Sequence, residues 1–219
     1  MASLSKTIVF DMDGVILDSE RLVLNIWTLL GEKYQLSGID DVMIECLGTN
    51  REETRHIMED HYGADFPYDD FRKEAKEVFI ERTKKDGVPL KPGARELLQF
   101  LKINGWKIGL ASSTSGATVK DELQTVGLYD FFEVVVSGEM VKESKPHPEI
   151  YFKACELLGV NPKEAVAVED SKNGVRSAAM AGMKVILVPD LVDPDEDTQR
   201  LAWKMFPDLF DVRKFFTGL

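Results

Sequence analysis

Cysteine is scarce in this chain: there are two, Cys46 and Cys155, far apart and in no CxxC pair. That scarcity argues against a disulfide framework and a structural zinc site, and leaves both as packing residues in a reducing compartment. Positive charge is in deficit too. Lys and Arg number 27 against 38 Asp and Glu, a formal net charge of −11 with a pI near 4.8. Such a surface repels polyanions, which disfavours nucleic acid and anionic membrane as partners, so any phosphate-bearing ligand needs a local positive site. No run approaches the roughly 18 apolar residues of a membrane span. The short apolar stretch near the start is cut by Asp11 before it reaches signal-peptide length. The expected location is the cytoplasm, and without coiled-coil heptads the expected state is a monomer.

What is present fits a soluble enzyme: 219 residues, 44% hydrophobic and 30% charged, enough chain to bury a real core. The strongest local feature is Thr7-Ile8-Val9-Phe10-Asp11-Met12-Asp13-Gly14-Val15, a β-branched strand running into two acids one residue apart and then a glycine that lets the chain turn. Helical patterns follow: from Ser19 with Leu22, Ile26, Leu29 and Leu30, then Asp40 to Leu47, Arg51 to His61 and Tyr68 to Lys85. No strand signal lies between Val15 and about Pro89, and Asp86-Gly87-Val88-Pro89-Leu90-Lys91-Pro92-Gly93 reads as the returning linker. Beyond it, short apolar strands ending at Ala111, Val136, Val168 and Val188 alternate with helices. The expected fold is therefore α/β, a Rossmann-like parallel sheet core covered by helices on both faces, with an inserted all-helical cap. The expected boundaries are residues 1–16 and 90–219 for the core and 17–89 for the insert.

Ligands of such sheets gather beyond the carboxyl ends of the strands. Four stations lie there: Asp11 and Asp13; Ser112 and Ser113 before a helix; Lys145, set against Pro146; and Glu169-Asp170. Each has a plain alternative. The aspartates could be solvated loop acids, the serines ordinary helix caps, the lysine a solvent-facing side chain. An EF-hand reading of Asp11 and Asp13 fails, because Gly14 comes too early and no preceding helix is present. Taken together, four carboxylates at the strand ends would repel by about 4 kcal/mol per close pair at an effective dielectric of about 20. They call for cations, and oxygen donors that leave room for water and phosphate suit Mg²⁺, with Lys145 adding charge.

The set Asp11-x-Asp13-Gly14, Ser112, Lys145-Pro146 and Glu169-Asp170, in this order and each beyond a strand, resembles the four motifs of the haloacid dehalogenase superfamily. With a helical insert after the first motif, the chain is most similar to the β-phosphoglucomutase-like branch of phosphatases and mutases. The resemblance implies Asp11 as nucleophile and Asp13 as acid and base on a small phosphorylated metabolite. It implies Mg²⁺ held by Asp11, the Asp13 carbonyl and Asp170, with Glu169 as a direct or outer ligand, and phosphoryl oxygens bound by Ser112, Ser113 and Lys145. In the cap it implies Glu20, Gly48 and Arg51 as substrate contacts.

Departures narrow the expectation. Dehalogenases of the superfamily carry Tyr where this chain has Asp13, and phosphonate-cleaving relatives need a lysine in a cap segment that here reads Cys46-Leu47-Gly48-Thr49-Asn50-Arg51. Mutases carry a histidine shortly after the residue matching Asp18; this chain has Val23, and its three histidines, His56, His61 and His147, lie elsewhere. Glu20 beside Ser19 resembles the simple phosphatases. Hydrolysis, most simply of sugar phosphates, is the leading expectation. A β-phosphoglucomutase is the alternative, and a phospho-ligand-binding regulator without turnover stands behind both.

Overall fold

Thr7, Ile8, Val9 and Phe10 form β1 (Thr7–Phe10), and all four are buried because helices cover the sheet they belong to. The computed structural model describes residues 5–47, 49 and 51–218. Its chain falls into two compact units, Met1–Asp18 with Pro89–Leu219, and Ser19–Val88.

The first unit is a Rossmann-like α/β core. Its parallel sheet is built from β1, β2 (Lys107–Ala111), β3 (Val134–Val136), β4 (Val166–Glu169), β5 (Lys184–Leu187) and β6 (Lys204–Met205), in the order β3-β2-β1-β4-β5-β6. The acid-bearing strand β1 lies between β2 and β4, with Phe10 level with Leu110 and Val168. Three strands therefore deliver their carboxyl ends to one place. Helix α7 (Glu149–Leu158) covers this part of the sheet, Ile150, Tyr151, Ala154 and Cys155 packing with Val9, Ala111 and Ala167. Two differences from the sequence expectation concern strands. Glu169 is the last residue of β4, level with Leu187, rather than a loop acid beyond it. The edge strand β6 was not anticipated: two exposed residues carry neither alternation nor an apolar run.

Side-chain caps fix the helix starts around the sheet ends. Ser115 accepts from the Thr118 amide at the start of α6 (Gly116–Thr125), and Ser171 accepts from the Gly174 amide at the start of α8 (Lys172–Met180). The insert leaves and re-enters the core at paired positions. Leu17 bridges Leu90 in antiparallel fashion, the Asp18 amide donates to the Pro89 carbonyl at 2.7 Å, and the Lys91 amide donates to the Ile16 carbonyl at 3.0 Å.

The second unit is all-helical among its described residues: α1 (Ser19–Tyr34), α2 (Ile39–Cys46), α3 (Arg51–Tyr62) and α4 (Tyr68–Thr83). It has its own core of Ile26, Leu30, Ile39, Val42, Met58, Tyr68 and Phe71. Phe71 sits fully buried among Trp27, Tyr34 and Phe66 in edge-on or tilted contacts, the geometry that aromatic quadrupoles favour. Among the described residues, no helix is long and apolar enough to cross a membrane.

Candidate active site

A tight turn follows β1. The Ile16 and Leu17 amides both donate to the Met12 carbonyl and the Gly14 amide donates to Leu17, with Gly14 at φ 74°. Glycine is needed there twice over. The positive φ disfavours side chains, and a Cβ would fall on the Asp170 carboxylate. The turn thus lets the Asp11 end of β1 and the Asp170 end of β4 converge. Asp11, Glu169 and Asp170 bring carboxylate oxygens within 4.8 Å of one another.

Lys145 joins this cluster from the loop ahead of α7. Its ammonium donates to Asp11 Oδ1 at 2.6 Å, Glu169 Oε1 at 2.7 Å and the Ala111 carbonyl at 3.0 Å, so all its N–H groups are engaged. The side chains are largely dry: Lys145 is 8% exposed, Asp11 12% and Glu169 0%. Burial pushes the Asp11 carboxyl up to about 7, with Glu169 and Asp13 adding to the rise and Lys145 opposing it. Burial works against the charge of Lys145, but the Asp11 and Glu169 carboxylates outweigh it and hold the ammonium above the ordinary lysine value. A second positive charge is what would let Asp11 ionise fully here.

Glu169 is held on both oxygens. Oε1 accepts from Lys145 and from the Tyr151 hydroxyl at 2.6 Å, while Oε2 accepts from the Asp170 amide at 3.2 Å and the Ser171 hydroxyl at 3.3 Å. The Lys145 ammonium also lies 5.1 Å from the Tyr151 ring centroid, within cation–π range. Gly174 on α8 leaves no Cβ where the Glu169 carboxylate sits. Gly174→Ala is therefore expected to destabilise the fold by about 1–3 kcal/mol, the usual cost of overpacking a dense interior, and to lower activity by displacing Glu169. Chemical denaturation and steady-state kinetics check both, and an unchanged midpoint would contradict the close packing.

Asp13 stands apart from the carboxylate cluster: its Oδ2 accepts from the Thr114 hydroxyl at 2.9 Å. Ser112 is 1% exposed, and its Oγ accepts from the Thr114 amide at 3.0 Å, which orders the loop after β2. Ser113 is exposed in the same loop. In the helical unit, Glu20 is half-buried in the first turn of α1, and Arg51 opens α3 in an exposed pair with Asp69 at 2.9 Å. Gly48 lies outside the described residues.

Tyr151, Thr114 and Gly174 were missed by the sequence reading. Tyr151 falls in the apolar stripe Ile150, Tyr151, Ala154, Cys155, Leu158 and looks like core, which most of it is. A tyrosine among aliphatic residues a few positions after Lys145 was the available signal, since a buried phenol needs a hydrogen-bond partner.

The arrangement is a buried carboxylate with a lysine beside it, a second carboxylate on a hydroxyl tether, and three acids close enough together to hold a cation. A family model described as haloacid dehalogenase-like hydrolase matches residues 8–188. Among curated relatives, the chain is 35% identical over 185 residues to "Phosphorylated carbohydrates phosphatase" of Thermotoga maritima, covering 83% of each. It is 33% identical over 189 residues to "Hexitol phosphatase B" of Escherichia coli, covering 83% of this chain and 82% of the other. Among solved structures, CbbY from Rhodobacter sphaeroides in complex with phosphate superposes with a TM-score of 0.70 at 26% identity, over 94% of this chain and 96% of that one.

Proposed function

The chain belongs to the haloacid dehalogenase-like hydrolase family, in its β-phosphoglucomutase-like branch, and from that premise we propose a Mg²⁺-dependent phosphatase of sugar phosphates and similar small metabolites that works through an aspartyl-phosphate. The observation that carries this reading is the Asp11 carboxylate, buried at the end of β1 and fixed by Lys145 at 2.6 Å. The names of the Thermotoga and Escherichia coli relatives support a phosphorylated carbohydrate as substrate.

The donor set fits Mg²⁺, being oxygen only and clustered within 4.8 Å, with the Gly14 turn keeping space beside Asp170 clear of a side chain. Asp11, the Asp13 carbonyl and Asp170 would hold the ion, which when bound supplies positive charge at the phosphoryl oxygens. Both oxygens of Glu169 are already engaged, so its part is to hold Lys145 rather than to lead the coordination.

In the reaction, an Asp11 oxygen attacks phosphorus and the bond to the leaving oxygen breaks. Asp13, turned by Thr114, gives that oxygen a proton and then takes one from the water that cleaves the aspartyl-phosphate. Lys145 acts mainly by its charge, having committed its donors to Asp11, Glu169 and Ala111. Ser112 and Ser113 offer a hydroxyl and an amide to the transferring group. The helical insert serves as the cap that chooses the substrate.

Val23 stands where mutases place a histidine, which favours water over a second sugar hydroxyl as the acceptor. Incubation of β-glucose 1-phosphate with a sugar bisphosphate primer should release phosphate and yield no glucose 6-phosphate; accumulation of the isomer would replace the hydrolase reading. Dialysis against EDTA should bring phosphate release to near background, and Mg²⁺ should restore it. Turnover that survives chelation would remove the metal from the mechanism.

A further inference from the structure

Tyr151 carries a hydroxyl that packing does not require. It sits on the buried face of α7 with Ile150, Ala154, Cys155 and Leu158, where a phenylalanine would fill the same space. A buried hydroxyl costs stability unless it finds a partner, and this one donates to Glu169 Oε1 at 2.6 Å. The same oxygen takes a second donor, the Lys145 ammonium at 2.7 Å. Tyr151 and Glu169 are both fully buried, out of reach of bulk water. Tyr151 also meets the cation: its ring centroid lies 5.1 Å from Lys145 Nζ, so one side chain touches both members of the Lys145–Glu169 ion pair.

Lys145 stands between two acids at nearly equal distance, 2.6 Å from Asp11 Oδ1 and 2.7 Å from Glu169 Oε1. Its position is a balance of two pulls, and a donor that takes negative charge from Glu169 Oε1 weakens one of them. The carboxylate cannot relieve a change at Oε1 by turning. Oε2 is held by the Asp170 amide and the Ser171 hydroxyl, and the group lies against the backbone of Gly174.

We propose that Tyr151 is a positioning residue for the phosphoryl transfer: by sharing Glu169 Oε1 it keeps the charge of Lys145 on the side of Asp11 and holds Glu169 out of the metal's coordination. The inference rests on the phosphatase reading, and Tyr151 acts in it through Glu169 and Lys145 rather than on the reacting atoms. Loss of the hydroxyl then has two consequences of opposite sign. Glu169 draws the ammonium away from Asp11, so the nucleophile and the transferring group lose positive charge and turnover slows. The acids are left less neutralised where a divalent ion binds, so the ion binds more tightly.

Tyr151→Phe keeps the ring, its volume and its contact with Lys145 while deleting the hydroxyl. Lys145 still serves Glu169, so the fold should hold, and a thermal melt verifies it. With the full chain and Mg²⁺, kcat for phosphate release from p-nitrophenyl phosphate and glucose 1-phosphate should fall roughly tenfold, with KM changed by less than about threefold. Mn²⁺ affinity of the substrate-free protein, read by electron paramagnetic resonance, should rise by roughly threefold or more. Both effects should vanish when Tyr151→Phe is placed in a Glu169→Gln background, because the hydroxyl acts through that carboxylate. Loosened packing predicts a different pattern, slower turnover with weaker metal binding, persisting beside Glu169→Gln. Either of those results would overturn the inference, as would a Tyr151→Phe protein that matches the parent in both measurements. A parent that releases phosphate from neither ester, while Tyr151→Phe still tightens Mn²⁺, would overturn the phosphatase reading and leave the placement of Lys145 by Tyr151 standing.

Discussion

Asp11→Asn is expected to reduce phosphate release by at least about 10⁴-fold, on the scale seen when a covalent nucleophile is removed from an enzyme. The substitution keeps the shape of the side chain and an oxygen that can accept from Lys145, so the fold should survive. Its effect on stability has a definite sign. In the metal-free protein the Asp11 carboxyl is raised from 3.8 to about 7 by burial, against the pull of Lys145. The native state therefore holds a proton that the unfolded chain releases between those values. Stability contributed by the protonated carboxyl is complete below about pH 4 and is lost as the pH rises through about 7. Urea midpoints without divalent cation should decline over that window in the parent and decline less in Asp11→Asn. A variant that retains turnover would end the nucleophile assignment, and parallel pH curves would show that Asp11 is not the group responsible.

Lys145→Met carries the second large effect, because it strands three acceptors at once. Asp11, Glu169 and the Ala111 carbonyl lose their donor in a region where Lys145 and Glu169 are 8% and 0% exposed. Removing one member of a buried ion pair costs about 3–5 kcal/mol, mainly from the charge left behind. For a chain of this size that lowers the melting temperature by roughly 10 °C. Activity should fall by about 10³-fold, since the charge facing the transferring phosphoryl group goes with it. The diagnostic comparison is Lys145→Met with Glu169→Gln added. If repulsion between Asp11 and Glu169 drives the loss, the double variant recovers part of the stability and none of the activity. Two losses that simply add would mean that the side chains do not interact.

The order of the four stations and the class of fold were legible in the sequence because both depend on short-range signals. Apolar strands such as Ile8 to Phe10 and Val166 to Val168 stand out, and each is followed by polar residues that have no reason to sit beside a buried strand. What could not be read depends on direction. Glu169 looks like the partner of Asp170 in sequence, yet it ends β4 inside the sheet and faces Lys145 and Tyr151. Asp11 and Asp13 look equivalent, but the turn at Gly14 leaves one in the carboxylate cluster and the other on Thr114. Tyr151 was hidden by the helical stripe that buries it. A cavity in the insert was invisible for a further reason: Trp27 on α1, Thr49, and Arg72 and Phe79 on α4 line it, but they are far apart in the chain and meet only when the helices pack.

The pairing of Leu17 with Leu90 bears on how such an enzyme diversifies. Because the Asp18 amide and the Pro89 carbonyl meet at 2.7 Å, the core treats everything between them as one loop with touching ends. The entropy of closing a loop grows only with the logarithm of its length, by about 0.6 kcal/mol per doubling. A short turn and a whole folded module are thus nearly equivalent to the sheet, so the chemistry at the end of β1 can stay fixed while lineages exchange the module that follows it. The neck at Leu17 and Leu90 makes the core a chassis.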